Sequence, residues 1–461
     1  MKMNKIALAA ALAFAGVAAH ADITIGNERN SLTFYGVLDL GLGTTNHSLS
    51  EDPNSASGNS AMANAAPSLH RLTSFLPSNT VPSRWGFKGQ RNFDGGDSAG
   101  FVLESMINVN TGTNPNGRVS DSLPGAGSMF NKGEGSIQGQ MFDREASVWV
   151  KNDQYGLFKF GHMTTLMGDT QFGYDPMSVG YAVSPLGMNG GWGAGAYTGD
   201  SRWDNSVKWT NSYGPFQAGL QYKFGGYTQG FTMGTAESAK IAYETAPFGV
   251  SLNVQNTLDT LNVGGSTSTT ACAASATLSC ATPMSPNALS VSVANARAVA
   301  LMARYELSAQ ATLKGGFEQI HLQNPTNAGS YTVANIGQLS GLPVNSINIA
   351  PFAASTGSLT QRMLWAGVNY KVDAKSTVSA AYYRRTDDYA MGQDNNANYL
   401  SGKYEYAVDK DTTLYVTGVT SSVGTNVNVP TVTTGATWYQ AAYHGLIPTT
   451  TTFTVGGVYR F

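Results

Sequence analysis

The sequence predicts an all-β protein: a transmembrane antiparallel β-barrel of sixteen strands, with short turns at one rim and long loops at the other. Three observations predict it. Segment after segment alternates apolar with polar residues, the period of a strand whose two faces meet different surroundings. The connections between these segments alternate in length, as barrel turns and loops do. The composition is poor in charge, 12% against about a quarter in soluble proteins, and rich in Gly (53), Tyr (22) and Phe (19). Past its first residues the chain has no run of roughly 18 apolar residues, as a membrane helix needs. Strands that cross a bilayer must close on themselves, because every backbone polar group needs a partner there.

Residues 1–21 read as a secretory signal peptide, with Lys2 and Lys5, an apolar run from Ile6 to Ala19, and Ala19-His20-Ala21 for cleavage. The barrel domain is then 22–461. It carries 25 Lys and Arg against 29 Asp and Glu, a balance that predicts no nucleic-acid partner.

Strand one, 31–42, sets Leu32, Phe34, Leu38 and Leu40 against Ser31, Thr33, Tyr35 and Asp39. A long segment, 43–81, leads to strand two, 82–90, where Trp85 and Phe87 oppose Arg84 and Lys88. Gly95-Gly96 turns into strand three, 99–110, with Glu104 on its polar face. A Gly-rich stretch reaches Met141. Strand four, 142–151, has Arg144 on one face, and Glu145 and Trp149 on the other, so a charge falls on the side assigned to lipid. Asn152-Asp153-Gln154 turns into strand five, 155–161, with Lys159 opposing Phe158 and Phe160. The third long connection, 162–200, is rich in Gly, Met and aromatics.

Strand six, 201–211, sets Arg202, Asp204, Ser206 and Lys208 against Trp203, Val207 and Trp209. Strand seven, 216–225, sets Gln217, Gln221 and Lys223 against Leu220, Tyr222 and Phe224. Strands eight (236–245) and nine (249–258) turn at Ala246-Pro247-Phe248 and alternate as plainly. Strands ten to fifteen follow at 296–307, 309–322, 361–371, 376–385, 397–407 and 412–421. The last, 450–461, puts Phe453, Val455, Tyr459 and Phe461 on one face and ends on the aromatic. Left unpaired, such an edge invites aggregation; paired with strand one, it closes the barrel. No segment carries a helical period.

Cys272 and Cys280, the only cysteines, lie in a Ser/Thr/Ala-rich loop. Export favours a disulfide between them, with two free thiols as the alternative. Two cysteines are too few for a metal site, and no metal or cofactor is expected.

Five motifs in order carry a family resemblance: Ser31-Leu32-Thr33-Phe34-Tyr35-Gly36-Val37-Leu38-Asp39, Ser83-Arg84-Trp85-Gly86-Phe87-Lys88-Gly89, Gly156-Leu157-Phe158-Lys159-Phe160-Gly161-His162, Arg202-Trp203-Asp204-Asn205-Ser206-Val207-Lys208-Trp209, and Tyr459-Arg460-Phe461. With them the chain resembles the sixteen-stranded general porins of the Gram-negative outer membrane, in their β-proteobacterial and neisserial branch, over its whole mature length. The resemblance implies a homotrimer with three pores and a third extracellular loop folded inward as a constriction. It also implies that the barrel-assembly machinery reads Phe461.

A pore selects by size and by the field at its narrowest point. The connection 162–200 supplies candidate carboxylates, Asp169 and Asp175, with a turn-forming cap as the other reading of each. Parity and resemblance place Arg84, Arg144 and Arg202 opposite them, with Lys88, Lys159 and Lys208 behind. Trp85, Trp149, Trp203, Trp209, Tyr459 and Phe461 are candidates for aromatic girdles at the lipid interfaces.

Passive diffusion of ions and small hydrophilic solutes, mildly anion-preferring, is the expected function. A substrate-selective channel of the same fold is the alternative. An adhesin would not need a polar lumen. No His-Glu-x-x-His or phosphate loop suggests an enzyme.

Overall fold

The computed structural model describes residues 23–27, 29–46, 71–110, 112, 141–180, 182–188, 202–225, 234–265, 289–323, 347–349, 358–389, 395–423 and 449–461. The signal peptide, Cys272, Cys280 and the end of the third connection lie outside them. Among the described residues nineteen strands form one sheet, and sixteen of these make a closed antiparallel wall. They are β1 (Asn30–Asn46), β2 (Arg84–Asn92), β3 (Ser98–Met106), β4 (Glu145–Asn152), β5 (Gly156–Thr164), β6 (Arg202–Tyr213), β7 (Phe216–Lys223) and β8 (Ala236–Glu244). The round continues with β9 (Phe248–Gly265), β10 (Leu289–Glu306), β11 (Ala311–Gln323), β12 (Leu359–Lys371), β13 (Ser376–Tyr389), β14 (Asn395–Ala407), β15 (Thr412–Val423) and β16 (Thr449–Arg460). Wall height differs around the barrel: β2 to β5 run 8 or 9 residues, whereas β9 and β10 run 18.

The last strand pairs with the first, from Thr452↔Thr45 to Arg460↔Val37. Phe461 completes the seam, exchanging two backbone hydrogen bonds with Gly36. Its ring lies over Gly36, where a Cβ would come within 2.3 Å of Cζ. Strand Ile23–Gly26 continues the same line along β1.

Alternation sorts the two faces as the sequence predicts. On β9, Ser251 and Asn253 are buried inside, while Leu252 and Val254 are exposed outside. Three features differ from expectation. The first connection contains a further strand, Arg71–Pro77, which pairs with the upper half of β1. Its exit, 78–83, leaves the wall and turns inward around Asp39, whose buried carboxylate accepts hydrogen bonds from Thr80 N (2.6 Å), Val81 N (2.9 Å) and the Tyr415 hydroxyl (2.6 Å).

Second, β4 starts at Glu145, so its inner face is Glu145, Ser147 and Trp149, and its outer face is Val148 and Val150, both exposed. Trp149 stands opposite Lys159, on the lumen side, and is no girdle residue. Arg144 precedes the strand and is not bound by its alternation. Third, the β5–β6 register shifts between Gly161 and Met163. One extra residue on β6 breaks the alternation locally. Trp203 is therefore fully buried beside Met163 rather than facing lipid. Trp85, Tyr459 and Phe461 do gather outside, with Phe34 5.4 Å from Phe461 and 6.5 Å from Trp85.

Candidate functional site

The third connection folds into the barrel. Helix α1 (Leu166–Tyr174), absent from the expected elements, begins at Thr165, whose side chain accepts a hydrogen bond from Gly168 N. The wall holds each turn of it. Gln221 Oε1 accepts from Leu166 N at 3.0 Å, and Gln171 Nε2 donates to the buried Glu318 at 3.0 Å. Trp365 Nε1 donates to Tyr174 O at 3.1 Å, Asn369 Nδ2 to Pro176 O at 2.7 Å. Met167, Met177, Val183 and Leu186 pack on Ala296, Ala298, Ala300 and Met302 of β10. The small inner face of β10 makes room for the segment, and the methionines fill the irregular gap. Ala182 N finally reaches Asn79 O of the 78–83 segment at 3.0 Å. The in-folded chain thus follows the inner wall from β7 to β13 and on to β1.

Arg84, Arg144 and Arg202 lie on the wall it leaves bare. Glu104 is the centre of the cluster: Oε1 accepts from Arg144 Nε at 2.7 Å, and Oε2 lies 3.2 Å from Arg84 Nε and accepts from the Tyr35 hydroxyl at 3.0 Å. Arg202, almost fully buried, lies within electrostatic range of both Glu104 and Arg84. Lys88 is exposed, with Nζ 5.0 Å from the Tyr35 ring centre. Lys159 and Lys208 stand opposite each other on β5 and β6. Each has its own carboxylate: Lys159 Nζ is 2.6 Å from Glu145, and Lys208 Nζ is 2.6 Å from Asp169 of α1.

Of the two loop carboxylates, only Asp169 reaches this set. Asp175 is wholly buried at the end of α1, where it accepts from Met177 N, Val179 N and the Tyr383 hydroxyl. It caps the loop with three donors around it, and the cation within its electrostatic range is Lys314 of β11, not one of the arginines. Sequence reasoning did not single out Glu104 as the shared partner, nor His162, whose Nδ1 meets Asp204 at 2.6 Å and Nε2 the Asp143 carbonyl at 2.8 Å. Both ring nitrogens face acceptors, the arrangement an imidazolium satisfies. A sequence signal for Glu104 existed: it lies on the same strand face as the lumen residues of β3. Glu145, assigned to lipid by parity, turns inward to Lys159 and also accepts from Ser147 Oγ. Among the described residues, no group of three or more His, Cys, Asp and Glu is arranged for a metal ion.

Comparison with known proteins matches residues 7–426 to the family described as Gram-negative porin. An outer membrane porin protein of Bordetella pertussis is 28% identical over 227 residues, 48% of each chain. The chain thus spans about half the length of that curated relative. Among solved structures, an anion-selective porin from Comamonas acidovorans superposes with a TM-score of 0.60 at 18% identity, covering 94% of this chain and 100% of that one. A trimer form of OmpT from Vibrio cholerae superposes with a TM-score of 0.55 at 13% identity, covering 94% and 100%.

Proposed function

The chain belongs to the Gram-negative porin family, and from that premise we propose that it forms a water-filled channel through which ions and small hydrophilic solutes diffuse across the outer membrane. One observation supports this above the rest. The in-folded segment covers one side of the lumen and leaves Arg84, Arg144, Arg202 and Glu104 on the other. Between them lies the constriction, and its field is what a passing ion meets. Arg84 and Arg144 share one carboxylate with Arg202 close by, whereas Lys159 and Lys208 each have their own. Mild anion preference follows. The Comamonas structure is itself described as anion-selective.

In this reading residues 1–21 direct export, Phe461 is the assembly signal, and the protein works as a homotrimer in outer-membrane lipid, as the OmpT trimer form suggests. Transport, not catalysis, is its activity. Planar-bilayer recording under a salt gradient tests it. Ohmic steps closing in threes, with a reversal potential of anionic sign, are expected. Correctly folded protein without conductance would sink the reading. A recess of about 500 Å3 beneath α1, lined by Asp169, Asn211, Gln217 and Lys240, favours a second reading in which one solute class is held selectively. Small steps blocked by one solute would establish that instead.

A further inference from the structure

The outer face of the tall wall carries polar side chains at its extracellular end. Glu237, Asn256, Arg297, His321, Thr360 and Asp388 stand opposite one another, strand to strand, from β8 to β13. Arg362 and Arg384 lie on the same face, one and two rows nearer the periplasm. Height above the periplasmic turns is nearly the same for the three arginines. Arg297 lies nine residues before Glu306, Arg362 nine before Lys371, and Arg384 eight after Ser376. A tilted strand crosses the hydrocarbon in about 9–11 residues. The arginines therefore mark the outer edge of the apolar belt, where Leu252, Leu301 and Leu364 lie below them, all exposed.

Arg362 is occupied: it pairs with Asp388 and donates to Gln319 at 3.0 Å. Arg297 and Arg384 are exposed and have no hydrogen-bond or ion-pair partner among the described residues. The carboxylate of Glu237, two strands from Arg297, accepts from Asn256. Beneath Arg297 the outer wall hollows into an apolar recess of about 520 Å3, lined by Trp209, Leu220, Tyr222, Val254 and Val299. Ala239, small between Leu220 and Val254 in register, makes its floor.

A guanidinium at the belt edge, facing outward, meets lipid headgroups. Its planar fork matches phosphate oxygens, and basic residues near a membrane surface attract anionic lipid. We propose that Arg297 binds the phosphate of an anionic outer-leaflet lipid, one acyl chain of which lies in the recess below it. Arg384, about 14 Å along the same edge by three strand spacings, takes a second phosphate. The site rests on the outer-membrane orientation of the barrel and is independent of what crosses the lumen.

The test titrates the folded full-length protein in detergent with diphosphoryl lipid A, counting bound lipid by native mass spectrometry. R297Q/R384Q should bind about tenfold more weakly than the parent, and R297K/R384K should retain most affinity. Ala239→Trp, which fills the recess and leaves both arginines, should lose lipid as well; it carries the test should the double variant fail to fold. Single-channel conductance should stay unchanged in all of them. Equal binding by parent and R297Q/R384Q would overturn the proposal. So would full competition by inorganic phosphate, which would mean an anion site without lipid. Dissociation of R297Q/R384Q into monomers would overturn it too, assigning this face to a subunit contact.

Discussion

Glu104 sits between Arg84 and Arg144, so its charge sets how much of theirs a passing ion senses. A unit charge about 7 Å from the ion path is worth about 0.6 kcal/mol in water, roughly a factor of 3 in local ion concentration. Glu104→Gln should therefore raise the anion-to-cation ratio by up to about eightfold, since anions gain and cations lose that factor, and R84Q/R144Q should abolish the preference; reversal potentials in a salt gradient read both. The lumen side of Arg84, Lys159 and Lys208 was legible from alternation alone. Asp175 was not, because a loop carboxylate faces water or caps a turn according to which amides the fold brings near it. The periplasmic turns offer a pH test. Asp373 accepts from Lys375 N (2.7 Å) and Ser376 N (2.8 Å), and Asp409 from Asp411 N (2.9 Å) and Thr412 N (2.7 Å). Backbone amides stabilise the ionised carboxyls and hold both below the usual carboxylate range. That stability is present above the unfolded carboxylate pKa and is lost as pH falls through the depressed folded value. D373N/D409N should unfold at a lower temperature than the parent at pH 7, and the two should converge in acid.

The strands were legible because lipid and water impose opposite demands on alternate residues. Helix α1 was not, because its surroundings impose none of that kind. Its buried side combines Leu166 and Met167 with Thr170 and Gln171, and the wall answers the polar ones with Asn253 and Glu318. No apolar stripe results, so no period appears. Strand β4 was misread for a smaller reason: counting began before the strand did, at a residue free of its alternation. Two predictions belong to this scale. Asp39→Ala leaves the Thr80 and Val81 amides and the Tyr415 hydroxyl without their acceptor. Each buried orphan costs about 1–3 kcal/mol, so the heat-modification temperature should fall clearly. Ala298→Leu adds bulk where the in-folded segment rests on β10, at a cost of about 1–3 kcal/mol of overpacking. Its open-channel current should be noisier than the parent's, because the displaced segment no longer lies still against the wall.

At the scale of the molecule, one seam closes the sheet, and Phe461 lies across it, near Phe34 and stacked on Tyr459. Phe461→Ala should weaken closure by about 1–3 kcal/mol, part of the cost of a core Phe because the ring is only half-buried. The expected readout is a lower temperature for the electrophoretic shift from folded to unfolded barrel. Closure itself could be read from the sequence, since the terminal strand demanded a partner; the height of the wall could not, because strand ends on the long-loop side lack a turn to mark them. The 18 residues of β9 and β10 against 8 or 9 in β2 to β5 make one side of the wall about 20 Å taller. Among the described strands, the rim is therefore cut at a slant. Whatever neighbours the barrel beside its short strands, headgroup sugar or another subunit, therefore rises above them and stands nearer the arginines than anything beside the tall strands can.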